Sequence, residues 1–239
     1  MTDKPQLVLS LFPGIGLLDM AFEQEGFTVV RGPDVLWGGD IRNFHPPAGR
    51  FDGVIGGPPC QCFSRLSAMV RHNGYEPKFG NLIPEFERCV AEASPDWFLM
   101  EEVPDAPTPW VDGYTPWSCL LNNRQLGEAQ NRLRRWTFGV RGIQHKVLMI
   151  ETSCFESAEW KPAVTASEAA HGMPLGTRSK MGRGKSYTCR SWPEFIAAQG
   201  LPEDYDLPFK RSENYRAVGN GVPLPMGRAI AKAVREAIK

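Results

Sequence analysis

The sequence predicts an α/β domain built on a parallel sheet, and three observations carry that prediction. Leu7–Phe12, Gly53–Ile55 and Trp97–Met100 are short continuous apolar runs, as expected of strands covered on both faces. Between them lie stretches at 17–25 and 82–93 with helical composition. Glycine and proline clusters, Pro13-Gly14-Ile15-Gly16 and Gly56-Gly57-Pro58-Pro59, close two of the runs, and such clusters end strands. Strands that alternate with helices make an α/β domain.

Each element follows in order. After the first strand and its turn, Leu17 to Glu25 reads as a short helix with Gly26 as its C-cap. Thr28–Val30 is a second strand and Gly53–Ile55 a third. Residues 82–93 form a helix, and Trp97–Met100 is a strand that ends in the acidic pair Glu101-Glu102. Beyond it, PDAPTPWVDGYTPW is rich in proline and aromatics, and regularity loosens. Trp136–Val140 and Val147–Ile150 read as further strands. Residues 151–189 show little periodicity, and HGMPLGTRSKMGRGKSY holds four glycines and four Lys/Arg, so a recognition loop or small subdomain is expected there. Helical patterning returns at Glu194–Gln199 and from about Pro225 to Ile238. The division expected is a core over 1–138, an inserted region over 139–189, and a segment over 190–239 that returns to the core.

Composition narrows the function classes. The 239 residues are 42% hydrophobic and 23% charged, which fits one folded domain with a small insertion and argues against disorder. No apolar run approaches the roughly 18–20 residues that span a bilayer, so no membrane partner is expected. The first apolar stretch runs into PGIG rather than a cleavage site, and a cytoplasmic protein is the expectation. Six cysteines are dispersed, and Cys60-Gln61-Cys62 lacks a second pair; free thiols and no metal site follow. The 27 Lys/Arg balance 27 Asp/Glu overall, yet residues 1–123 carry a net −8 and residues 124–190 a net +7. A basic middle in a neutral chain suits a localised polyanion such as nucleic acid, or a solvated loop face.

Four segments hold residue types that do chemistry. Phe12-Pro13-Gly14-Ile15-Gly16 joins a strand to a helix, where glycines let backbone N–H groups approach a bound cofactor. Alone, it marks a tight turn equally well. An acid some 20 residues on binds a ribose in nucleotide-binding α/β folds, and Asp34 has that spacing, with Asp40 a second carboxylate for an adenine amino group. Gly56-Gly57-Pro58-Pro59-Cys60-Gln61-Cys62-Phe63-Ser64 puts a thiol at the ligand-bearing edge of the sheet; a buried cysteine in a rigid turn is the alternative. Glu101 ends another strand, and a carboxyl partly buried there can share a proton with a heteroaromatic ring. Finally, alternation over Gln130, Arg132 and Arg134 would place three long donors on one face, suited to phosphate or developing negative charge; a solvated edge strand is the alternative.

Taken together, in this order, the segments resemble the DNA cytosine-C5 methyltransferases. Phe-x-Gly-x-Gly, Gly-Pro-Pro-Cys-Gln-x-Phe-Ser, Glu-x-Val and Gln-x-Arg-x-Arg match, and so do Arg190-Ser191-Trp192-Pro193-Glu194, Gln199-Gly200-Leu201-Pro202 and Tyr215-Arg216-Ala217-Val218-Gly219-Asn220-Gly221-Val222-Pro223. The resemblance runs over roughly residues 7–236 apart from the variable middle, and it implies a Rossmann-like S-adenosylmethionine-dependent methyltransferase fold with a small target-recognition insertion. It implies Cys60 as the nucleophile on C6 of a flipped cytosine, Glu101 at N3 and the exocyclic amine, and Arg132 and Arg134 orienting the base. It also implies a pocket for S-adenosyl-L-methionine from Phe12, Gly14, Ile15, Gly16, Asp34, Asp40, Ile41, Pro58, Leu82, Asn220 and Val222. Double-stranded DNA would meet a mobile loop over 61–81, through Gln61, Ser64, Arg65 and Arg71, together with Gln130. Arg178, Lys180, Arg183 and Lys185 of the recognition region would reach phosphates or guanine edges.

Three departures from the family pattern stand out. Glu101-Glu102-Val103 replaces the usual Glu-Asn-Val. Twelve residues between Phe27 and Asp40 are too few for a strand, helix and strand, which weakens Asp34 as a ribose ligand. About 50 residues for recognition is short, as in a minimal phage or compact bacterial enzyme, and implies a short target or an accessory protein beside a monomeric chain. The rivals are a catalytically weak DNA-binding relative and a transfer-RNA cytosine methyltransferase. The RNA-active branch carries a Cys-Phe-Thr tripeptide that this chain lacks.

Overall fold

The apolar runs form the strands their composition requires. The computed structural model describes residues 5–59, 62–63, 80–155, 157, 159–166, 168 and 190–239. Strand β1 (Leu7–Leu11) leads through the glycine turn into helix α1 (Leu17–Gln24), and β2 (Thr28–Arg31) follows. Strand β3 (Gly53–Gly56), helix α2 (Ile83–Ala93) and β4 (Trp97–Glu102) come next. Then come β5 (Tyr114–Asn122), the two-residue β6 (Gln130–Asn131), β7 (Leu133–Arg141) and the two-residue β8 (Lys161–Pro162). Helices α3 (Trp192–Ala198), α4 (Arg211–Asn220) and α5 (Leu224–Ala237) end the chain. No helix among the described residues is long and apolar enough to cross a membrane.

Six strands make one sheet in the order β2-β1-β3-β4-β7-β5. The first four are parallel, whereas β7 runs antiparallel to both β4 and β5. Alternate residues of each strand feed opposite layers. Val8, Ile55, Trp97 and Leu99 pack with Phe22 of α1 and Met226, Ile230 and Val234 of α5. Leu9, Leu11, Val54, Phe98 and Met100 pack with Phe86 and Val90 of α2 on the other side. Burying each such side chain stabilises the fold by roughly 1.5–3 kcal/mol. A third cluster joins Ile15 and Leu17 to Val164, Phe195, Tyr215 and Val218, so the C-terminal segment closes onto the first turn. Gly139 of β7 makes room for this packing: a Cβ there would lie 2.2 Å from the Phe98 ring.

Several elements differ from the sequence-based expectation. Strand β5 holds Pro116 in its interior, and it can do so because β5 is the sheet edge, where a missing N–H breaks no inner ladder. Helix α4 is polar over much of its length; it buries Asn214, Tyr215, Val218 and Gly219 at helical spacing. Val147–Ile150 forms no strand, although Leu148 is buried. Between β2 and β3, two single-turn 3-10 helices, Val35–Trp37 and Ile41–Asn43, stand where a full helix and strand would not fit. In consequence β2 lies at the other sheet edge.

Candidate active site

The site gathers at the C-terminal ends of β1, β3 and β4, where the glycine and proline turns leave the sheet. After β1 the backbone is left-handed at Phe12, Gly14 and Gly16, with φ of 55°, 54° and 82°. Glycine adopts this geometry without strain, but Phe12 does not. Helix α1 then begins with no side-chain cap, so its first N–H groups face the sheet edge. A larger residue at Gly16 would also displace the Arg31 guanidinium, since a Cβ there would lie 2.3 Å from Arg31 Nη2.

Carboxylates hold this turn in place. Asp34 Oδ2 accepts from Gly14 N at 2.9 Å and Oδ1 from Leu36 N at 2.7 Å. The 20-residue spacing thus fastens the turn, and both oxygens meet backbone N–H groups. Trp37 Nε1 donates to Gly14 O at 2.7 Å, and its exposed ring lies tilted 5.6 Å from the Phe209 ring. Asp40 caps the second 3-10 turn through Arg42 N at 3.0 Å. Beneath the turn, fully buried Asp19 accepts from Ser10 Oγ and from Arg31 Nε at 2.8 Å. Burial pushes the Asp19 carboxyl up, opposed by Ser10 and Arg31. Sequence reasoning missed Asp19, Arg31 and Trp37, because a lone acid in an amphipathic helix carries no signal of its own.

The flanks of the sequence-predicted thiol are ordered at the end of β3. Gly57 follows that strand and Pro58 is buried. A Cβ at Gly57 would come within 3.2 Å of Glu101 Oε2, so the absent side chain leaves space beside that oxygen. Glu101, next to last in β4, is mostly buried; its Oε1 lies 2.8 Å from Arg134 Nε. The β4–β7 register pairs Glu101 with Trp136, which makes Arg134 its diagonal neighbour on the same face. Cys60, Gln61, Ser64, Arg65, Arg71, Arg178, Lys180, Arg183 and Lys185 lie outside the described residues.

The expected common face of Gln130, Arg132 and Arg134 is corrected. Gln130 belongs to β6, which pairs with β8 rather than with the main sheet; the ladder to β5 starts only at Leu133 and that to β4 at Arg135. Gln130 is buried, with Nε2 bonded to Ala198 O and Gln199 Oε1, so the side chain proposed for DNA is turned inward. Arg132 is 3% exposed and donates to Val164 O, Gly219 O and Gly221 O. It therefore clamps the C-terminal motif instead of facing an open site, whereas Arg134 reaches Glu101. Gln199 Nε2 donates to Val218 O and Gly221 O and reinforces the clamp.

The clamp brings the two ends of the chain together. Gly221 lies so close to α1 that a Cβ would sit 2.6 Å from Leu17 Cδ1. Asn220 is exposed, while Val222 is buried with Leu18. Ile41 and Leu82 are buried in the layer beside Phe12. Across the inserted region, Glu168 and Arg190 form a buried ion pair at 3.0 Å, and Tyr215 donates to Arg190 O at 2.7 Å.

Comparison with known proteins agrees with this arrangement. The family model described as C-5 cytosine-specific DNA methylase matches residues 37–109 and 190–236, half of the chain. The type II methyltransferase M.NgoPII of Neisseria gonorrhoeae is 30% identical over 151 residues, covering 56% of this chain and 39% of that protein. M.NgoFVII from the same organism is 28% identical over 93% of this chain and 69% of its own length. Against M.NgoPII and M.FnuDI of Fusobacterium nucleatum the chain spans less than half of the relative's length. Among solved structures, a Spodoptera frugiperda DNMT2 variant superposes with a TM-score of 0.65 at 15% identity, covering 98% of this chain and all of that one. An E. coli prophage protein assigned as a DNA modification methyltransferase gives 0.58 at 18%, covering 98% and 99%. At such identities the superpositions show the fold, the S-adenosylmethionine-dependent methyltransferase architecture. The family match takes in the turn after β3, the end of β4 and the clamped C-terminal motif, and the chain belongs to the C-5 cytosine-specific DNA methylase family.

Proposed function

We propose that this chain methylates C5 of cytosine in double-stranded DNA. The observation that carries the reading is Glu101, set beside Gly57 and paired with Arg134 at the edge that continues into the Gly-Pro-Pro-Cys-Gln motif. The donor set also suits S-adenosyl-L-methionine. An uncapped helix start at Gly16, a half-exposed carboxylate at Asp40 and the exposed Asn220 surround the turn, and Phe12, Ile15, Ile41, Pro58, Leu82 and Val222 would supply apolar walls. When bound, that cofactor supplies an electrophilic methyl group.

The chain's own residues would prepare the acceptor. The Cys60 thiolate adds to C6, and the C5–C6 π electrons move to C5, making it nucleophilic. Glu101, in its acid form, donates the proton on Oε2 to N3 and so neutralises the ring, accepts from the exocyclic amine, and is held at Oε1 by Arg134. After methyl transfer, water takes the C5 proton, the C5–C6 double bond re-forms with expulsion of the Cys60 thiolate, and N3 returns its proton to Glu101. Because the base must leave the duplex stack, the recognition region and the loop after Cys60 would hold the extruded nucleotide. Arg132 supports this from behind, by fixing the C-terminal motif.

Incubation with methyl-labelled S-adenosyl-L-methionine and mixed-sequence duplex DNA tests the reading. Label in 5-methylcytosine is expected, and Cys60→Ser should lower transfer by roughly three orders of magnitude or more while retaining cofactor. Absence of label in duplex DNA would favour a DNA-binding relative. Label in transfer RNA alone would move the substrate to RNA.

A further inference from the structure

The carboxyl next to the proposed proton donor has no role in that mechanism, yet it is the less exposed of the two. Glu102 ends β4 with 1% of its surface exposed. Its Oε2 accepts from Val103 N at 2.7 Å, and its Oε1 is buried without a hydrogen-bond partner among the described residues. A charge in that position would be poorly solvated. The charged groups that face it are Glu101 on its own strand and, from β7, Arg134 and its register partner Arg135. Arg134 is engaged by Glu101, and Arg135 donates to Pro104 O and Thr108 Oγ1. Neither is left to neutralise a second carboxylate.

We propose that Glu102 is a positioning residue that works as a neutral acid: its bond to Val103 N fixes the turn after β4, and its lack of charge leaves Arg134 to Glu101. This rests on the methyltransferase reading of the site. With Oε2 accepting from Val103, the proton sits on Oε1. Its loss to solvent places a negative charge beside Glu101, draws Arg134 away, and weakens the group that must protonate N3. Burial pushes the Glu102 carboxyl up to about 8, with Glu101 adding to the rise and Val103 N and Arg134 opposing it. An amide at this position would make the same bond without the proton.

Single-turnover methyl transfer and urea unfolding, each followed against pH in the wild type and in Glu102→Gln, test the proposal. Wild-type transfer should fall about tenfold per pH unit above about 8, and Glu102→Gln should stay level there. Both should share any rise at lower pH that reports the thiol. Stability supplies an activity-independent readout. The folded protein holds a proton that the unfolded chain has lost, so wild-type stability relative to Glu102→Gln should decline as pH rises from about 4.5 to about 8. Glu102→Asn should reproduce the level profile if the glutamine variant folds poorly. Parallel stability curves would overturn the neutral acid. Divergent stability curves with identical transfer profiles would overturn its positioning role. Divergent stability with no transfer by any variant at any pH would overturn the enzymatic reading and the positioning role with it.

Discussion

The two sides of the site use their carboxylates differently. Around the first turn, Asp19, Asp34 and Asp40 all meet donors within the protein: Ser10 and Arg31, the N–H groups of Gly14 and Leu36, and that of Arg42. At the end of β4, Glu101 meets Arg134 at one oxygen and the space beside Gly57 at the other, and Glu102 holds one N–H and nothing at its other oxygen among the described residues. The first group shapes a backbone that has little side-chain chemistry of its own. The second keeps acid groups in low-dielectric surroundings, where proton position can be tuned. Bonded carboxylates build the turn, and sparsely bonded ones are left for chemistry.

The arginines two residues apart on β7's approach show the same division. Arg132 holds three carbonyls from distant parts of the chain, and Arg134 faces the partly covered acid.

The strongest way to break this contrast is Glu101→Gln, which removes the ring-protonating acid while preserving shape. Transfer should fall by about 10²–10⁴-fold with the melting temperature nearly unchanged; an active variant would move the proton donor elsewhere. Next, Arg132→Ala and Arg134→Ala should separate cleanly. Loss of the buried clamp should cost about 4 kcal/mol or more in urea unfolding, since hydrogen bonds from a charged group each contribute about 1.5–3 kcal/mol. Arg134→Ala should cost about 1 kcal/mol or less in stability yet reduce turnover markedly. Equal stability losses would erase the distinction. The smallest effect belongs to Asp34→Ala, which should cost about 1 kcal/mol, as for a lost cap, and loosen cofactor binding severalfold by calorimetry. Unchanged affinity would show that the turn keeps its form without Asp34.

How much of this was legible in the sequence varies along the chain. The parallel strands β1, β3 and β4 announced themselves, because a strand buried on both faces must be apolar at every position. The turns after them did too, since glycine and proline are required there by backbone geometry. Strand β5 did not, because an edge tolerates Pro116 and half-exposed residues and so relaxes the pattern. Helix α4 stayed hidden because it buries few apolar side chains and fits by the close approach of Gly219 to the backbone at Thr165. The common face of Gln130, Arg132 and Arg134 failed because period-2 reasoning assumes one unbroken strand, and the chain changes sheets at Arg132.

The sequence by itself determined the α/β class, the family, the strand-end location of the acids and the spacing of Asp34 from the glycine turn. Those depend on local backbone preference and on residue order, which a linear chain carries in full. Only the tertiary structure decided which charges are matched. Whether Arg132 clamps a carbonyl or Arg134 meets Glu101, and whether Glu102 is buried without compensation, depends on groups up to 89 residues apart in the chain, and their electrostatics follow from distance and burial in space.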